Sequence, residues 1–326
     1  MKKYWALGLS ALLAVSLAAC GDDKAEPKTD AAETSAAENK DAKEEASAEQ
    51  TVTYLGEQYT LPDKVETIVA ASLESMEDAA ILGVKPAGVL SIGDAVPSYL
   101  ESELSGAALI GDKREPNKEA ILALNPDVIL GSSKYQEEVA ADLNKIQTTI
   151  PYSHISTNWK ENLELLGQLT GKEDEAKTII SDYEKKASEA KEKLSADLKD
   201  KTVLVLRIRG GSANVYPADV YLNPVIYEDL GAAVPEVVSQ AKAQAELSLE
   251  ALAEINPDYL FLQFETSENA DAPTALDDLT ANPIFKSIEA AKNDKVFVNT
   301  VDPLAQGGTA WSKVKFLDAA VESLSK

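Results

Sequence analysis

The chain contains one phrase twice, about 130 residues apart, and this repeat constrains the fold more than any other feature. EAILALNPDVIL begins at Glu119 and EALAEINPDYLFL begins at Glu250. In each copy, apolar residues recur at helical spacing until Asn-Pro, where proline disfavours the helical conformation of the preceding residue. The apolar run after Pro-Asp is typical of a strand buried in a parallel sheet. The repeat predicts two lobes of one architecture, with chance similarity over a short phrase as the alternative.

Apolar runs alternate with helical patterns through both halves of the chain. The strand candidates in the first half are ETIVAAS, PAGVLSI, AALIGD, DVILGSS and TTIPYS. Those in the second half are TVLVLRIRG, YLFL and KVFVNT. Strands that alternate with helices indicate doubly wound, mostly parallel sheets, so the predicted fold class is α/β.

One uninterrupted helical pattern lies between the two halves, from Lys172 to Ala196. It contains no glycine or proline, and its apolar residues recur at spacings of four and three. This pattern predicts a long amphipathic helix that bridges two lobes, although a coiled-coil partner remains an alternative. The predicted division is an N-terminal lobe at 51–168, a linking helix at 169–199 and a C-terminal lobe at 200–326. The six apolar positions are Ala176, Ile180, Tyr183, Ala187, Ala190 and Leu194.

The N-terminus reads MKKYWALGLSALLAVSLAAC. Two lysines precede an apolar stretch too short to span a bilayer comfortably, and small residues lie just before Cys20. This arrangement resembles a bacterial lipobox, which implies a signal peptide at 1–19 and acylation of Cys20. Because Cys20 is also the only cysteine, the monomer has no internal disulfide.

The segment 20–50 is rich in Ala, Glu, Asp, Lys, Ser and Thr and has no aromatic residue. Such a composition cannot bury enough apolar surface to offset the entropy of ordering, so we predict a disordered acidic tether after the lipid anchor. The formal net charge is −24, and loss of residues 1–19 with their two lysines makes it −26. A chain this acidic is not expected to bind nucleic acid.

Cationic side chains follow several of the predicted strands, where open α/β sheets bind their ligands. Arg207 and Arg209 are two residues apart on one strand and therefore point to the same face. Two guanidinium groups on one buried face need an acidic partner or an anionic ligand. Arg114 and Lys134 follow strands of the other half, as does Ser72. A salt-bridge network or ordinary surface charge is the alternative for these cations.

Three aromatic residues are candidates to pack against the organic part of a ligand, namely Tyr216, Tyr221 and Trp311, with core packing as the alternative for each. A bare transition metal is not the expected ligand, because the chain has one histidine, His154, and its only cysteine is assigned to lipidation. No G-x-S-x-G elbow, P-loop or G-x-G-x-x-G motif is present. We therefore expect no catalytic residue, no metal site and no enzyme activity.

Taken together, these features resemble the bacterial substrate-binding proteins that serve iron–siderophore and vitamin B12 importers. The features are LAAC, the two Glu-headed phrases, LIGDKREPNKEAILALNPDVIL, the single linking helix and VFVNTVDPLAQGGTAW. Within this group the chain is most similar to binders of ferric hydroxamates and citrate-hydroxamates from Gram-positive bacteria. The resemblance implies two Rossmann-like lobes joined by a single long α-helix, with the ligand in the interlobe cleft.

The resemblance also implies partners and location. In this family one glutamate on each lobe docks onto arginines of the two permease subunits, and Glu119 and Glu250 stand at the matching positions. Stabilisation of a first helical turn by either acid is compatible with this role. The chain would be a monomeric lipoprotein on the extracytoplasmic face of the cell membrane. It would bind a ferric siderophore that is already chelated, need no cofactor, and deliver its ligand to an ABC permease with its ATPase. Alternatives are another iron chelate, cobalamin, or a siderophore-modifying hydrolase.

Overall fold

The structure is a computed structural model that describes residues 48–326. The predicted signal peptide at 1–19, the predicted lipidation of Cys20 and nearly all of the tether lie outside the described residues. Across 48–326, none of the helices combines the length and the apolar content needed to cross a bilayer.

The first lobe follows the predicted alternation of strands and helices. In chain order it contains β1 (Glu49–Tyr54), β2 (Glu57–Pro62), β3 (Ile68–Ala71), α1 (Leu73–Leu82), β4 (Gly88–Ser91), α2 (Glu101–Leu104), β5 (Ala108–Asp112), α3 (Lys118–Ala123), β6 (Val128–Ser132), α4 (Glu137–Asn144), β7 (Thr149–Tyr152) and α5 (Trp159–Thr170). Five strands form one parallel sheet in the order β5-β4-β3-β6-β7. The central strand β3 is buried along its whole length, as expected of a parallel sheet with both faces covered.

The antiparallel hairpin of β1 and β2 was not predicted. It begins at Glu49, inside the range that the sequence assigned to the tether. Alternate residues of β1, including Val52 and Tyr54, are buried, and this alternation is the signature of a strand with one face on the core. The Tyr54 hydroxyl donates to Asn162 Oδ1 at 2.5 Å and accepts from the Ser153 backbone N–H at 2.8 Å, which fixes the hairpin to the lobe.

The second lobe has a mixed sheet. In chain order it contains β8 (Val203–Arg209), β9 (Ser212–Val215), α7 (Glu236–Gln240), β10 (Ala245–Glu246), α8 (Leu249–Ile255), β11 (Tyr259–Phe264), α9 (Ala275–Ala281), α10 (Glu289–Lys292) and β12 (Val296–Val298), and it is followed by α11 (Ala310–Leu324). The order is β10-β9-β8-β11-β12, with β8, β11 and β12 parallel and β9 and β10 antiparallel. The stretch PVIYEDLG forms a π-helical turn at Val225–Asp229.

The linking helix is α6 (Glu173–Leu198), which lies within the predicted range 169–199. All six apolar positions that defined its predicted face are buried, and so is Leu198. The helix packs against α5 of the first lobe and against α11. The α/β class with two lobes and a long helix between them is therefore confirmed.

The final helix, which the predicted division placed in the C-terminal lobe, contacts both lobes. It packs against α1 and α5 of the first lobe, against α6, and against the turn Val225–Asp229 of the second lobe, and its Phe316 ring lies 5.4 Å from that of Phe261 in β11. The segment 299–309 carries the chain back from β12, so the lobes share a second connection besides α6. The sequence could not show this return, because an amphipathic helix does not reveal which lobe covers its apolar face.

Two buried carboxylates of α1 hold this second connection. Glu77 accepts from the hydroxyls of Thr309 at 2.6 Å and Ser312 at 2.5 Å. Asp78 accepts from the Ala310 backbone N–H at 2.8 Å, at the first turn of α11. Both acids are fully buried, so removal of either acid would leave donors without partners at the junction of the two lobes.

We expect Glu77 to make the folded state less stable as the pH rises. Burial raises the pKa of Glu77 to about 7, although four hydrogen-bond donors oppose the shift. Between the usual carboxyl pKa and about 7, the folded state binds more protons than the unfolded state, so this contribution is present at low pH and lost as the pH rises through about 7. At about 1.4 kcal/mol per pKa unit, the rise from 4.5 to about 7 limits this loss to about 3.5 kcal/mol.

The measurement is urea denaturation of the wild type and Glu77→Gln at about pH 5 and about pH 8. The glutamine keeps the shape and cannot titrate, so its free energy of unfolding should change less between the two pH values. An equal pH dependence in both proteins would contradict the assignment.

Candidate functional site

A cleft lies at the carboxyl ends of both sheets. The strand order of the first sheet reverses between β3 and β6, and that of the second reverses at the β8–β11 pair. Such switch points open a crevice beyond the strand ends, where ligands of α/β sheets bind. The cavity here has a volume of about 940 Å³ and takes side chains from both lobes. This volume is at the upper end of the range for small-molecule sites.

Of the eight residues predicted to bind the ligand, seven line this cleft and Trp311 does not. Trp311 lies in the first turn of α11, where its ring packs against Tyr99 with centroids 5.1 Å apart. Trp311 therefore contacts a residue of the first lobe and is not among the residues that line the cleft. The residues that do line the cleft are Ser72, Arg114, Lys134, Arg207, Arg209, Tyr216 and Tyr221.

The cleft is cationic although the whole chain is strongly acidic. The sequence contains only three arginines, and all three line the cleft. Six cations and three carboxylates line it, which leaves a formal charge of +3. They are Lys113, Arg114, Lys134, Arg207, Arg209 and Lys242, against Glu74, Asp219 and Glu268.

The centre of this charge is a four-residue cluster around Glu268. Arg207, at the end of β8, places Nη2 2.7 Å and Nε 2.9 Å from Glu268 Oε2. The other carboxylate oxygen, Oε1, lies 3.4 Å from Arg209 Nη2 and 3.3 Å from Lys113 Nζ. Glu268 lies on the turn after β11, and Lys113 follows β5 of the first lobe. The cluster therefore joins the two lobes across the cleft.

The protonation states of this cluster follow from burial and mutual attraction. Burial opposes the charged form of Glu268, but the three neighbouring cations hold its pKa below the usual value. Burial lowers the pKa of Lys113, and Glu268 partly restores it. Burial also opposes the charged form of Arg207, but Tyr221 and Glu268 raise its pKa above the ordinary arginine value. Mutual attraction therefore favours the charged forms of Glu268 and Arg207.

A tyrosine pair forms the floor beneath Arg207. The rings of Tyr216 and Tyr221 have centroids 5.2 Å apart, and the Arg207 guanidinium lies 5.1 Å from the Tyr221 ring centroid, a cation–π contact. The Tyr216 hydroxyl donates to Gln244 Oε1 at 2.8 Å, and Arg209 Nη1 donates to the same oxygen at 3.1 Å. These contacts hold both arginines in place before any ligand arrives.

The first-lobe wall pairs its charges differently. Lys134 Nζ lies 2.7 Å from the buried Glu74 at the start of α1, and the lysine side chain remains half exposed to the cleft. The Ser72 hydroxyl accepts from the Ser75 backbone N–H at 3.0 Å and so caps α1. Ser72 therefore shapes the cleft, while its hydroxyl is already engaged in the helix cap.

Several polar residues of the cleft were not among the predicted site residues, including Lys113, His154, Gln244 and Glu268. His154 was considered only as a possible metal ligand. His154 Nδ1 lies 2.8 Å from the Ser133 hydroxyl at the rim, and burial lowers its pKa, so the ring is neutral near neutral pH. Gln244 and Glu268 had no local signal, because they reach the cleft only through the packing of loops that are distant in sequence.

The two acids of the repeated phrase lie outside the cleft lining. Glu119 and Glu250 are exposed and occupy the first turns of α3 and α8. Asn117 and Ser248 cap these helices in the same way, each accepting from a backbone N–H three residues later. Within 48–326, neither acid forms a salt bridge. The repeat therefore gives each lobe an exposed carboxylate in an equivalent position.

Among the described residues, no group of three or more His, Cys, Asp or Glu side chains is arranged to hold a metal ion. The cleft instead offers guanidinium and ammonium donors around one carboxylate, above a tyrosine floor. This set is suited to a ligand that presents several anionic oxygens.

Comparisons with known proteins agree on one family. A family model described as periplasmic binding protein matches residues 68–302. The chain is 48% identical over 329 residues to the iron-uptake system-binding protein of Bacillus subtilis (strain 168), covering 100% of both chains. It is 31% identical to the probable siderophore-binding lipoprotein YfiY of the same organism, covering 73% of this chain and 76% of that one.

A solved structure gives the same result. The triscatecholate siderophore binding protein FeuA from Bacillus subtilis, complexed with ferri-bacillibactin, superposes with a TM-score of 0.82. It is 50% identical to this chain and covers 85% of this chain and 98% of its own.

Proposed function

The chain belongs to the periplasmic binding protein family, and from this premise we propose that it captures an anionic ferric siderophore and delivers it to an ABC importer. The observation that supports this most directly is the cleft, which collects every arginine of a strongly acidic chain and has a formal charge of +3. A global negative field repels an anionic ligand at long range, so binding depends on these short-range contacts.

The charge of the cleft favours one siderophore class. Three catecholates carry two negative charges each, so their complex with Fe(III) is a trianion, whereas three hydroxamates give a neutral complex. FeuA, described as a triscatecholate siderophore binding protein, is 50% identical to this chain. We therefore place a ferric tris-catecholate ahead of the hydroxamate and citrate-hydroxamate ligands expected from the sequence. The hydroxamate expectation itself remains an untested prediction.

The test separates a binding protein from a siderophore-modifying hydrolase. The protein is titrated with a ferric tris-catecholate while tryptophan fluorescence is followed, and the ligand is then recovered and analysed by mass spectrometry. We expect saturable quenching at one equivalent and recovery of the intact complex. Cleaved ligand would support the hydrolase, and the absence of quenching would contradict the proposed function.

Membrane attachment through Cys20 is part of the same proposal. The lipobox supports it, as does the name of YfiY, a probable lipoprotein that is 31% identical to this chain. We expect the wild type in the membrane fraction on the extracytoplasmic face, and Cys20→Ala released or unprocessed. If the variant fractionates like the wild type, the lipidation assignment is wrong.

We also propose that Glu119 and Glu250 dock the monomeric protein onto the two permease subunits. Both acids are exposed, lie outside the cleft lining and occupy equivalent places in the two lobes. Glu119→Ala and Glu250→Ala should therefore leave ligand affinity within about twofold of the wild type. Loss of a charge-assisted contact of this kind typically costs about tenfold or more in the docking equilibrium, so uptake should fall clearly.

The measurements are equilibrium titration and uptake of the radiolabelled iron complex by cells. A matched control is Glu137→Ala, because Glu137 is also an exposed first-turn acid, on α4. The control should transport normally. Weaker ligand binding in either docking variant, or equal transport by all three variants, would contradict the assignment.

A further inference from the structure

Glu268 occupies the position where an anionic ligand would be expected. Its carboxylate is almost buried, with 7% of the side chain exposed, and it contacts three cations of the cleft. Arg207 directs both Nε and Nη2 at a single oxygen of Glu268. Donors that would suit the anionic oxygens of a ligand are therefore already engaged by a residue of the chain itself.

The backbone of Glu268 is fixed to the strand that carries the arginines. The Gly210 backbone N–H donates to the Glu268 carbonyl at 3.1 Å. The adjacent Asn269 side chain donates to the Ile208 carbonyl at 2.9 Å and accepts from the Gly211 backbone N–H at 2.9 Å. These three bonds hold the turn against the end of β8, so Glu268 cannot leave the cluster by movement of its backbone.

Three cations around one point need a counter-ion when the cleft is empty. Arg207, Arg209 and Lys113 all lie within 3.4 Å of the same carboxylate, so they are close enough to one another to repel strongly in a partly buried site. Glu268 neutralises part of this charge. The contact with Lys113 also ties the second lobe to the first.

We propose that Glu268 is an internal counter-ion that substitutes for the ligand in the empty cleft and competes with it for the same donors. The inference rests on the proposed function and names the residue that sets the charge selectivity of that site. A ligand must carry enough negative charge to displace or outcompete the carboxylate. A neutral complex gains little there, because the donors are already satisfied. The same competition limits the affinity for the anion and so allows release.

The main test compares the wild type with Glu268→Gln, which keeps the shape and removes the charge. We expect the affinity for a ferric tris-catecholate to rise about tenfold, since one nearby repulsive charge is lost. The melting temperature of the empty protein should fall, because three cations lose their counter-ion. Affinity for a neutral ferric trihydroxamate should stay within about twofold. The control is Asp271→Asn, an exposed acid three residues away that makes the same change in net charge and should alter none of these values.

Opposite results would overturn the inference. A lower melting temperature with unchanged or weaker affinity for the tris-catecholate would assign Glu268 a structural role only. Glu268→Asp serves as a second variant, because it keeps the charge and shortens the side chain by one methylene. The affinity of Glu268→Asp for the tris-catecholate should stay close to that of the wild type. An increase in affinity equal to that of Glu268→Gln would show that the shape of the side chain, not its charge, is responsible.

An iron-free probe keeps this inference separate from the proposed function. If the wild type binds no ferric complex, the proposed function fails. The counter-ion role is then judged by citrate, a trianion near neutral pH. Citrate should raise the melting temperature of Glu268→Gln more than that of the wild type, and an equal shift in the two proteins would overturn the inference.

Discussion

Replacement of Arg207 by alanine should weaken binding of the ferric tris-catecholate by roughly 30- to 150-fold, or about 2–3 kcal/mol. The guanidinium is buried at the centre of the cationic cluster, between Glu268 and the Tyr221 ring. Its removal takes away charge-assisted donors and leaves Glu268 facing the ligand with one cation fewer. Both changes weaken the binding of an anionic ligand. Arg207→Lys should recover only part of the loss, because an ammonium cannot donate two parallel hydrogen bonds.

Affinity and melting temperature are measured together for each Arg207 variant. Lys185→Ala is a suitable control, since Lys185 is exposed on the linking helix and its loss makes the same change in net charge. The control should bind like the wild type. A lower melting temperature with unchanged affinity in Arg207→Ala would show that the arginine serves only the internal salt bridge with Glu268.

Gly307→Ala should lower the free energy of unfolding by roughly 3–5 kcal/mol. Gly307 lies in the second connection between the lobes and has a φ of +79°, which costs an L-residue about 1–2 kcal/mol. A Cβ atom there would lie 2.3 Å from the backbone carbonyl carbon of Tyr221, closer than real Cβ contacts allow. Tyr221 itself has a φ of +60°, and its carbonyl accepts from the Ser156 hydroxyl at 2.8 Å, so its backbone has little freedom to move.

Gly171→Ala is a control for the steric clash, because it introduces the strain of a positive φ without a clash at Cβ. Gly171 follows α5 with a φ of +66°, and nothing lies within 4 Å of its Cβ position. This control should lose only about 1–2 kcal/mol in urea denaturation. A similar loss of stability in both variants would show that the segment 299–309 shifts to accommodate the added methyl group and does not fix the position of Tyr221.

Some of this structure could be read from the sequence because it depends on local periodicity. The repeated phrase predicted α3 with β6 and α8 with β11, and both pairs are present. The spacing of Arg207 and Arg209 predicted a shared face and left open either an acidic partner or an anionic ligand. The structure shows the acidic partner, Glu268, and places it inside the cleft.

Other features could not be read, because they depend on contacts between distant segments. Glu268 lies in a stretch with several acids, and nothing local distinguishes the one that meets the arginines. Trp311 follows a glycine-rich loop that was expected to border the cleft, but its ring packs against Tyr99 instead. The buried pair Glu77 and Asp78 was not recognised, since acids on an amphipathic helix usually face solvent.

The most direct test of the account is the charge selectivity of the wild-type cleft. Affinities for a ferric tris-catecholate and a neutral ferric trihydroxamate are measured by equilibrium titration under the same conditions. Since several charge-assisted hydrogen bonds distinguish the two ligands, we expect the trianion to bind at least about 100-fold more tightly. Equal affinities, or a preference for the neutral complex, would contradict the claim that the cationic cleft is the binding site for the ligand.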